Sequence, residues 1–526
     1  MNIMKNLLLV SFVLFTSVLK AQNLTSSNLP IVVIQTFGAV PIPNEPKVPA
    51  FMGIIKNANG VRNSTTDPYN DYSGKILVEM RGASSQMFSQ KQYSIETVTM
   101  QDSSRDVSIM GMPAEHEWIL YAPYNDKTLM RNYIVYNLMR EIGHWAPRTE
   151  YCEVILNGDY RGVYIMVESI KRDKNRVSVA KMDLDDNAAD SLTGGYIFRT
   201  DWDGGFVHYP KNGGTPQQSN YITSYVNSTV DGIMNSANYN NPVTGYNKYL
   251  KVSTFIDYML MIEFCGNQDS YHASTYFHKE NIANDSGQIK AGPVWDYNFA
   301  FGISPWYGST HSLWMYTTGN GGMNGWINRM MQDTNYANKA RCRWDWLQTK
   351  TMDTVYVFHK MDSIANLLSE SRVRHFTKYP ILPAGSCGDC YNNYSPLQEP
   401  STYEGDLKYM KDWISRRVAF LDFNLIGTCH EVGIDKITPT SNTYMLLYPN
   451  PVENKLYLNV FLNTTANISV DIFSATGELI LHKELGLLNA NDYTFSVDEF
   501  TEISSGLYLL KLNSGSQTST KTFIKK

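Results

Sequence analysis

The chain has 526 residues, which at about 150 residues per domain predicts roughly two to four domains. Apolar residues make up 43% and charged residues 18%, enough for sizeable cores and too few charges for long disordered charge-rich stretches. The 45 Lys+Arg against 50 Asp+Glu give a net charge of −5 with no basic block, which argues against nucleic acid as a partner. Aromatics reach 13%, with 35 Tyr, a level common in extracellular, carbohydrate-facing or β-rich proteins.

Lys5 supplies a positive start, Leu7 to Leu19 is mostly apolar, and Ala21 is a plausible last residue before cleavage. Residues 1–21 therefore read as a secretory signal peptide. The apolar run is too short for the ~20 residues that span a bilayer, and no transmembrane segment is expected after cleavage. Six cysteines follow: Cys152, Cys265, Cys342, Cys387, Cys390 and Cys429. An exported chain allows disulfides, and six cysteines permit about 15 pairings among which sequence does not choose. For Cys387-Gly-Asp-Cys390, a structural disulfide is expected over a redox or zinc role, because no second CxxC or HxxxH completes such a site.

Residues 22–430 read as one mixed α/β body. Pro30 to Thr36 predicts a short buried strand, and Ile76–Met80 and Tyr93–Val98 alternate as strands do. From Leu120 to Ile142 the pattern turns helical: Asp126 is a candidate cap, and Leu129, Met130, Tyr133, Ile134 and Leu138 recur at helical spacing before Gly143. Cys152–Leu156 and Gly162–Glu168 predict a hairpin around Asn157-Gly158. Residues 203–247, rich in Gly, Asn and Tyr, read as a long surface excursion. Phe255–Phe264 and Tyr409–Leu425 predict helices. A polar linker at 431–445 leads to a module at 446–526, whose short strands Leu456–Val460, Ile468–Phe473, Glu478–His482 and Leu507–Leu512 predict a small all-β sandwich.

Two segments concentrate polar residues between apolar walls. Gly266 to Ser274 follows an apolar helix and precedes the strand Thr275–His278; Gly292 to Gly302 reads as a strand ending in Asp296. Asp269 and Asp296, 27 positions apart, flank adjoining strands that a hairpin would bring together. Two facing carboxylates need positive charge between them, and Mg²⁺ with a phosphate ester is one answer. His272 and His278 would share one side of a strand, but no third ligand is evident and ordinary polar contacts are expected. The tryptophans at 295, 306, 314, 326, 344 and 346 could line a sugar site, although core packing is the commoner use. No GxSxG, HExxH, Walker-type or EF-hand loop occurs.

Tyr448-Pro449-Asn450-Pro451, Ser505-Gly506-Leu507-Tyr508 and the basic end Phe523-Ile524-Lys525-Lys526 resemble the type A C-terminal sorting domain of the type IX secretion system. That resemblance implies a partner in the secretion machinery and a secreted or cell-surface location. In the body, Arg81-Gly82-Ala83-Ser84-Ser85 with Lys91-Gln92-Tyr93 resembles the signature of the CotH (spore coat protein H) kinase family. Trp118-Ile119-Leu120, Asp126 to Asn132, Asn157 to Tyr164 ending in Glu168, Gly194-Gly195-Tyr196 and Trp295 to Gly302 fit the same family in order. The resemblance implies an α+β fold: an atypical protein-kinase-like, two-lobed catalytic domain, followed by the β-sandwich sorting domain. It implies a secreted kinase that uses ATP and Mg²⁺ or Mn²⁺ to phosphorylate hydroxyls of exported or surface proteins. By resemblance Asp269 orients or deprotonates the acceptor hydroxyl and Asp296 binds metal. Lys91 pairs with phosphate, while Arg81, Glu168 and Lys171 line the nucleotide cleft. The family departs here at two positions: Ser274 stands where kinases carry a metal-binding Asn, and Asn298 where many members carry a second acid. A kinase-like adhesin or scaffold without activity is the alternative reading, and a glycan-binding protein a more distant one.

Overall fold

The computed structural model describes residues 24–58, 60–201, 205–269, 271–303, 310–318, 323–382, 400–429, 443–448, 452, 455–462, 464–497, 503–515 and 517–526. Residues 1–21, expected to be a signal peptide, most of the expected linker, Trp306, the Cys387/Cys390 pair and Pro449–Pro451 lie outside the described residues.

The N-terminal strands are β1 (Ile31–Thr36), β2 (Val48–Ile55), β3 (Tyr72–Arg81), β4 (Gln92–Thr97), β5 (Glu117–Tyr121), β6 (Thr149–Leu156) and β7 (Asp159–Glu168). They close into a barrel in the order β6-β7-β5-β4-β3-β2-β1, sealed by the parallel pairing of β1 with β6. Side chains alternate across each strand. Val32, Ile34, Met52, Ile76, Trp118, Leu120, Val154 and Met166 fill the interior. Ile119, Tyr121, Val163, Ile165 and Val167, one residue out of step, face outward into a second core shared with the helices. That offset makes one barrel wall part of two cores. The β6–β7 hairpin turns at Asn157 and Gly158, both at positive φ (51° and 79°), as a two-residue turn between twisted strands requires.

The resemblance implies a kinase-like, two-lobed body; the strands of its N-terminal part form a closed barrel. A second sheet comprises β8 (Tyr196–Thr200), β9 (Phe206–Tyr209), β10 (Thr275–Lys279) and β11 (Ile289–Ala291) in the order β9-β8-β10-β11. Around it lie α1 (Arg131–Glu141), α2 (Pro216–Val230), α3 (Val252–Cys265), α4 (Met323–Met330), α5 (Thr334–Gln348), α6 (Thr354–Leu367), α7 (Ser371–Lys378) and α8 (Tyr403–Asn424). α3 is buried without a break from Phe255 to Cys265, as a helix apolar on all sides must be. Among the described residues, no helix is long and apolar enough to cross a membrane.

Three local expectations change. Leu120 and Tyr121 end β5, and the helix starts only at Arg131. Asp126 still serves that helix start: its Oδ2 accepts the Arg131 N–H at 2.7 Å. The 203–247 stretch is no mere surface excursion, because β9 and α2 lie within it and Ile222, Ile233 and Tyr246 are buried. Its capping box at Thr215 and Gln218 starts α2 despite the polar composition. The strand before Asp296 stops at Ala291, five residues short of the aspartate.

Cys342 and Cys429 form a disulfide, while Cys152 and Cys265 are buried free thiols. The C-terminal module adds β12 (Thr443–Tyr448), β13 (Leu456–Leu462), β14 (Ala466–Ser474), β15 (Leu479–Leu488), β16 (Asp492–Val497), β17 (Gly506–Ser514) and β18 (Gln517–Lys525). They form two sheets, β12-β13-β16 and β15-β14-β17-β18, around a core of Leu458, Val460, Ile468, Val470, Leu510 and Phe523.

Candidate functional site

β10 and β11 pair antiparallel, with Phe277 opposite Ala291 and Lys279 opposite Ile289. Asp269 precedes this hairpin and Asp296 follows it, so both lie at its open end. α3 stops at Gly266, which is left-handed at φ 59°; a Cβ there would sit 2.6 Å from the Trp413 ring. The chain therefore turns sharply out of the helix and under α8. The loop that follows is tight: Tyr271 (φ 75°) and Ser274 (φ 49°) are left-handed without being glycine. Tyr271 Oη donates to Glu263 Oε1 at 3.0 Å, and Glu263 pairs with Arg417 of α8 at 2.8 Å. A buried ion pair thus anchors the loop that carries Asp269.

Asp296 is also left-handed, at φ 63°. For a residue with a Cβ this costs about 1–2 kcal/mol, and it persists only where surroundings over-determine it. Five hydrogen bonds do so. The Asp296 N–H donates to Tyr136 Oη (3.2 Å), and its carbonyl accepts from Asn267 Nδ2 (3.1 Å). The Tyr297 N–H donates to Asn132 Oδ1 (2.6 Å), Arg131 Nε to the Ala300 carbonyl (2.9 Å), and the Phe301 N–H to the Cys265 carbonyl (2.6 Å). Three of the five come from α1, so two sequence motifs about 160 residues apart fold as one unit.

The barrel supplies the opposite wall. β3 ends at Arg81, and Gly82 (φ 101°) opens a turn where an added Cβ would meet Ser85 Oγ at 2.0 Å. The Arg81 guanidinium lies over the Trp295 ring at 5.4 Å, and its Nη1 donates to Gln92 Oε1 at 3.4 Å. β8 supplies Arg199, over the Tyr276 ring at 5.8 Å, and just past its end comes Asp201, paired with Arg199 at 3.1 Å. Between these walls lies a cleft of about 790 Å³ lined by Arg81, Ser84, Gln92, Tyr121, Asn132, Tyr136, Arg199, Asp201, Asp269, Ser274, Asp296 and Asn298, among others.

Three carboxylates and two guanidinium groups share this space. Burial, then the facing charges of Asp296 and Asp201, lift the Asp269 carboxyl well above the usual carboxylate range. Burial lifts Asp296 too, with Arg81 and Arg199 pulling it back and Asp201 pushing it up. Arg81 is lowered by burial, with Asp296 opposing. Asp269 Oδ1 and Asn298 Oδ1 are buried without a hydrogen-bond partner among the described residues. An oxygen-rich donor set with unsatisfied atoms suits a hard divalent cation.

The structure brings five of the eight residues singled out in the sequence to this cleft: Arg81, Asp269, Ser274, Asp296 and Asn298. The other three are engaged elsewhere. Lys91 Nζ donates to the Gln86 carbonyl at 2.6 Å and braces the turn after Gly82. Glu168, at the buried end of β7, accepts two bonds from Arg148 Nη1 (3.0 and 3.1 Å). Lys171 pairs with Glu115 (2.7 Å) and Glu117 (3.2 Å). His278 Nδ1 meets the Gly292 carbonyl at 3.0 Å, an ordinary polar contact. Of the tryptophans, Trp326 and Trp344 are core and Trp295 lies in the cleft wall. Sequence reading missed Arg199 and Asp201, although Gly194-Gly195-Tyr196 marks the strand that carries them. It also missed Tyr136 on α1.

Residues 78–421 match the CotH kinase protein family, and residues 446–526 match the secretion system C-terminal sorting domain family. A curated relative is the inner spore coat protein H of Bacillus subtilis (strain 168), 24% identical over 198 residues, covering 35% of this chain and 49% of the relative. The chain thus spans about half the length of that relative. Among solved structures, dimeric latent PorU from Porphyromonas gingivalis is 18% identical over 19% of this chain and 10% of that one, with a TM-score of 0.14. The twitchin kinase region from C. elegans is 9% identical over 95% of this chain and 99% of that one, with a TM-score of 0.17. Both scores are too low to indicate a shared fold. The family match covers well over half of the chain, so this protein belongs to the CotH kinase protein family and carries a C-terminal sorting domain for export by type IX secretion to the cell surface or beyond.

Proposed function

We propose that this protein is a secreted atypical kinase that transfers the ATP γ-phosphoryl group to hydroxyls of exported or surface proteins. In this reading the barrel and the helical body are the two lobes, with the nucleotide between them. The observation that carries it is the meeting of Asp269 and Asp296 with Arg81 and Arg199 in one cleft. Phosphoryl transfer needs alignment and charge neutralisation more than covalent help. Asp296, with Asn298 and Ser274, would hold Mg²⁺ or Mn²⁺, which supplies neutralisation of the phosphate oxygens. Arg81, fixed over Trp295 and by Gln92, pairs with phosphate, the role that resemblance assigns to Lys91. Lys91 supports the turn beneath it. Asp269, more basic than a surface aspartate, orients the acceptor hydroxyl and takes its proton. Glu168 and Lys171 act at a distance, through the ion pairs that hold the barrel wall.

The test is transfer of label from γ-labelled ATP with Mg²⁺ or Mn²⁺ by the full chain, to itself and to surface-protein extracts. Asp269→Asn should abolish transfer but retain nucleotide binding, and Asp296→Asn should lose both. Transfer unchanged in both variants refutes the proposal. The neutral Ser274 and Asn298 favour a second reading, a nucleotide-binding scaffold, which predicts binding lost in Asp296→Asn with no transfer by the parent chain.

A further inference from the structure

We infer that Asp201 is a third carboxylate of the cation site and is shared between the cation and Arg199. This deepens the reading of the cleft above and rests on it. Asn298 offers only a neutral carbonyl where a second acid would strengthen cation binding. Strand pairing brings an acid in from elsewhere. β8 runs antiparallel to β10 with Thr200 opposite Thr275, so Asp201, one residue beyond, lies abreast of Ser274. Asp201, Asp269, Ser274 and Asp296 line the same cleft.

A second observation points to a ligand there. Asp269 is 7% exposed and its Oδ1 has no partner among the described residues, in a cleft where Asp201 and Asp296 repel it. Three carboxyl groups, those of Asp201, Asp269 and Asp296, share the cleft with the guanidinium groups of Arg81 and Arg199. Arg199 now holds Asp201 at 3.1 Å. A cation drawing Asp201 away would free the Arg199 guanidinium, still seated over Tyr276, for a phosphate. The acidic cluster at Asp106, Glu115 and His116 differs, because the Lys171 ammonium already neutralises Glu115 at 2.7 Å.

The experiment is calorimetric titration of the full chain with MnCl₂ in the absence of nucleotide. Asp201→Asn should weaken Mn²⁺ at least about tenfold and Asp201→Glu should restore most of it, whereas Asp106→Asn leaves it unchanged. Arg199→Met should tighten Mn²⁺ severalfold, by removing a competitor, while weakening ATP. Parent-like Mn²⁺ affinity in Asp201→Asn, with binding lost in Asp296→Asn, overturns this inference and leaves the kinase reading standing. Absence of Mn²⁺ binding by the parent chain overturns both. Should Asp201→Asn fail to fold by circular dichroism, Arg199→Met decides: Mn²⁺ binding no tighter than the parent's overturns the inference.

Discussion

Arg417→Met tests the anchor beneath the Asp269 loop. Glu263 and Arg417 are both fully buried and paired at 2.8 Å. Glu263 also accepts the Met315 N–H (2.9 Å), the Tyr316 N–H (3.0 Å) and Tyr271 Oη (3.0 Å). Arg417 Nη1 donates to the carbonyls of His311 (2.8 Å) and Leu313 (2.6 Å). Methionine fills much of the arginine's volume, so the principal loss is the counter-charge. An uncompensated buried carboxylate costs about 3–5 kcal/mol. Urea unfolding of the body, followed by tryptophan fluorescence, should show a loss of that size. Adding Glu263→Gln removes the orphaned charge but keeps an acceptor oxygen, so the double variant should recover about 1–3 kcal/mol. Burial raises the Glu263 pKa while Arg417 lowers it. Without Arg417 the folded carboxyl holds its proton to higher pH than the unfolded one. The native state then binds more protons, and stability of the single variant falls as pH rises through and above the ordinary carboxylate range. A loss below about 1 kcal/mol, or a double variant no better than the single, would refute the anchoring argument.

Gly266→Ala forces a left-handed alanine whose Cβ lies 2.6 Å from Trp413, and should cost about 1–4 kcal/mol by the same unfolding assay. Asn132→Ala strips the Tyr297 N–H of its acceptor; about 1–3 kcal/mol should be lost, with weaker Mn²⁺ binding as Asp296 relaxes from φ 63°. Arg81→Lys keeps the charge but loses the planar fork over Trp295, and should weaken ATP about tenfold or more in a nucleotide titration. Burial lowers His278 from 6.5 to about 4, so the unfolded state binds the extra proton between these values. Thermal stability should fall as pH drops through that window, and His278→Gln should flatten the slope.

Local pattern carried much of the architecture. The alternation in Ile76–Met80 lies within β3, Asn157-Gly158 turns the β6–β7 hairpin, and the apolar run Phe255–Phe264 lies inside α3. These features depend on neighbours a few residues apart, which a linear reading sees. The helical spacing around Leu120–Ile142 misplaced a boundary because β5 and α1 both bury apolar residues, and short apolar runs do not separate strand from helix. Polar composition hid α2, whose buried side is narrow: only Gln218, Ile222 and Thr229 are buried.

For the cleft, residue order alone placed Asp269 and Asp296 at one end of a hairpin, because the intervening strands pair with each other. Which cations face them was a tertiary matter. Arg81 turns inward over Trp295, 214 positions away, whereas Lys91 donates to the nearby Gln86 carbonyl. The register of β8 on β10 brought Asp201 alongside Ser274, and α1 locked Asp296 into a left-handed backbone. Spacing in a chain limits where a side chain begins; its direction and its counter-charges come from packing between segments that share no local pattern. That is why the two aspartates and Arg81 could be named from the primary structure, and Arg199 and Asp201 beside them only from the folded chain.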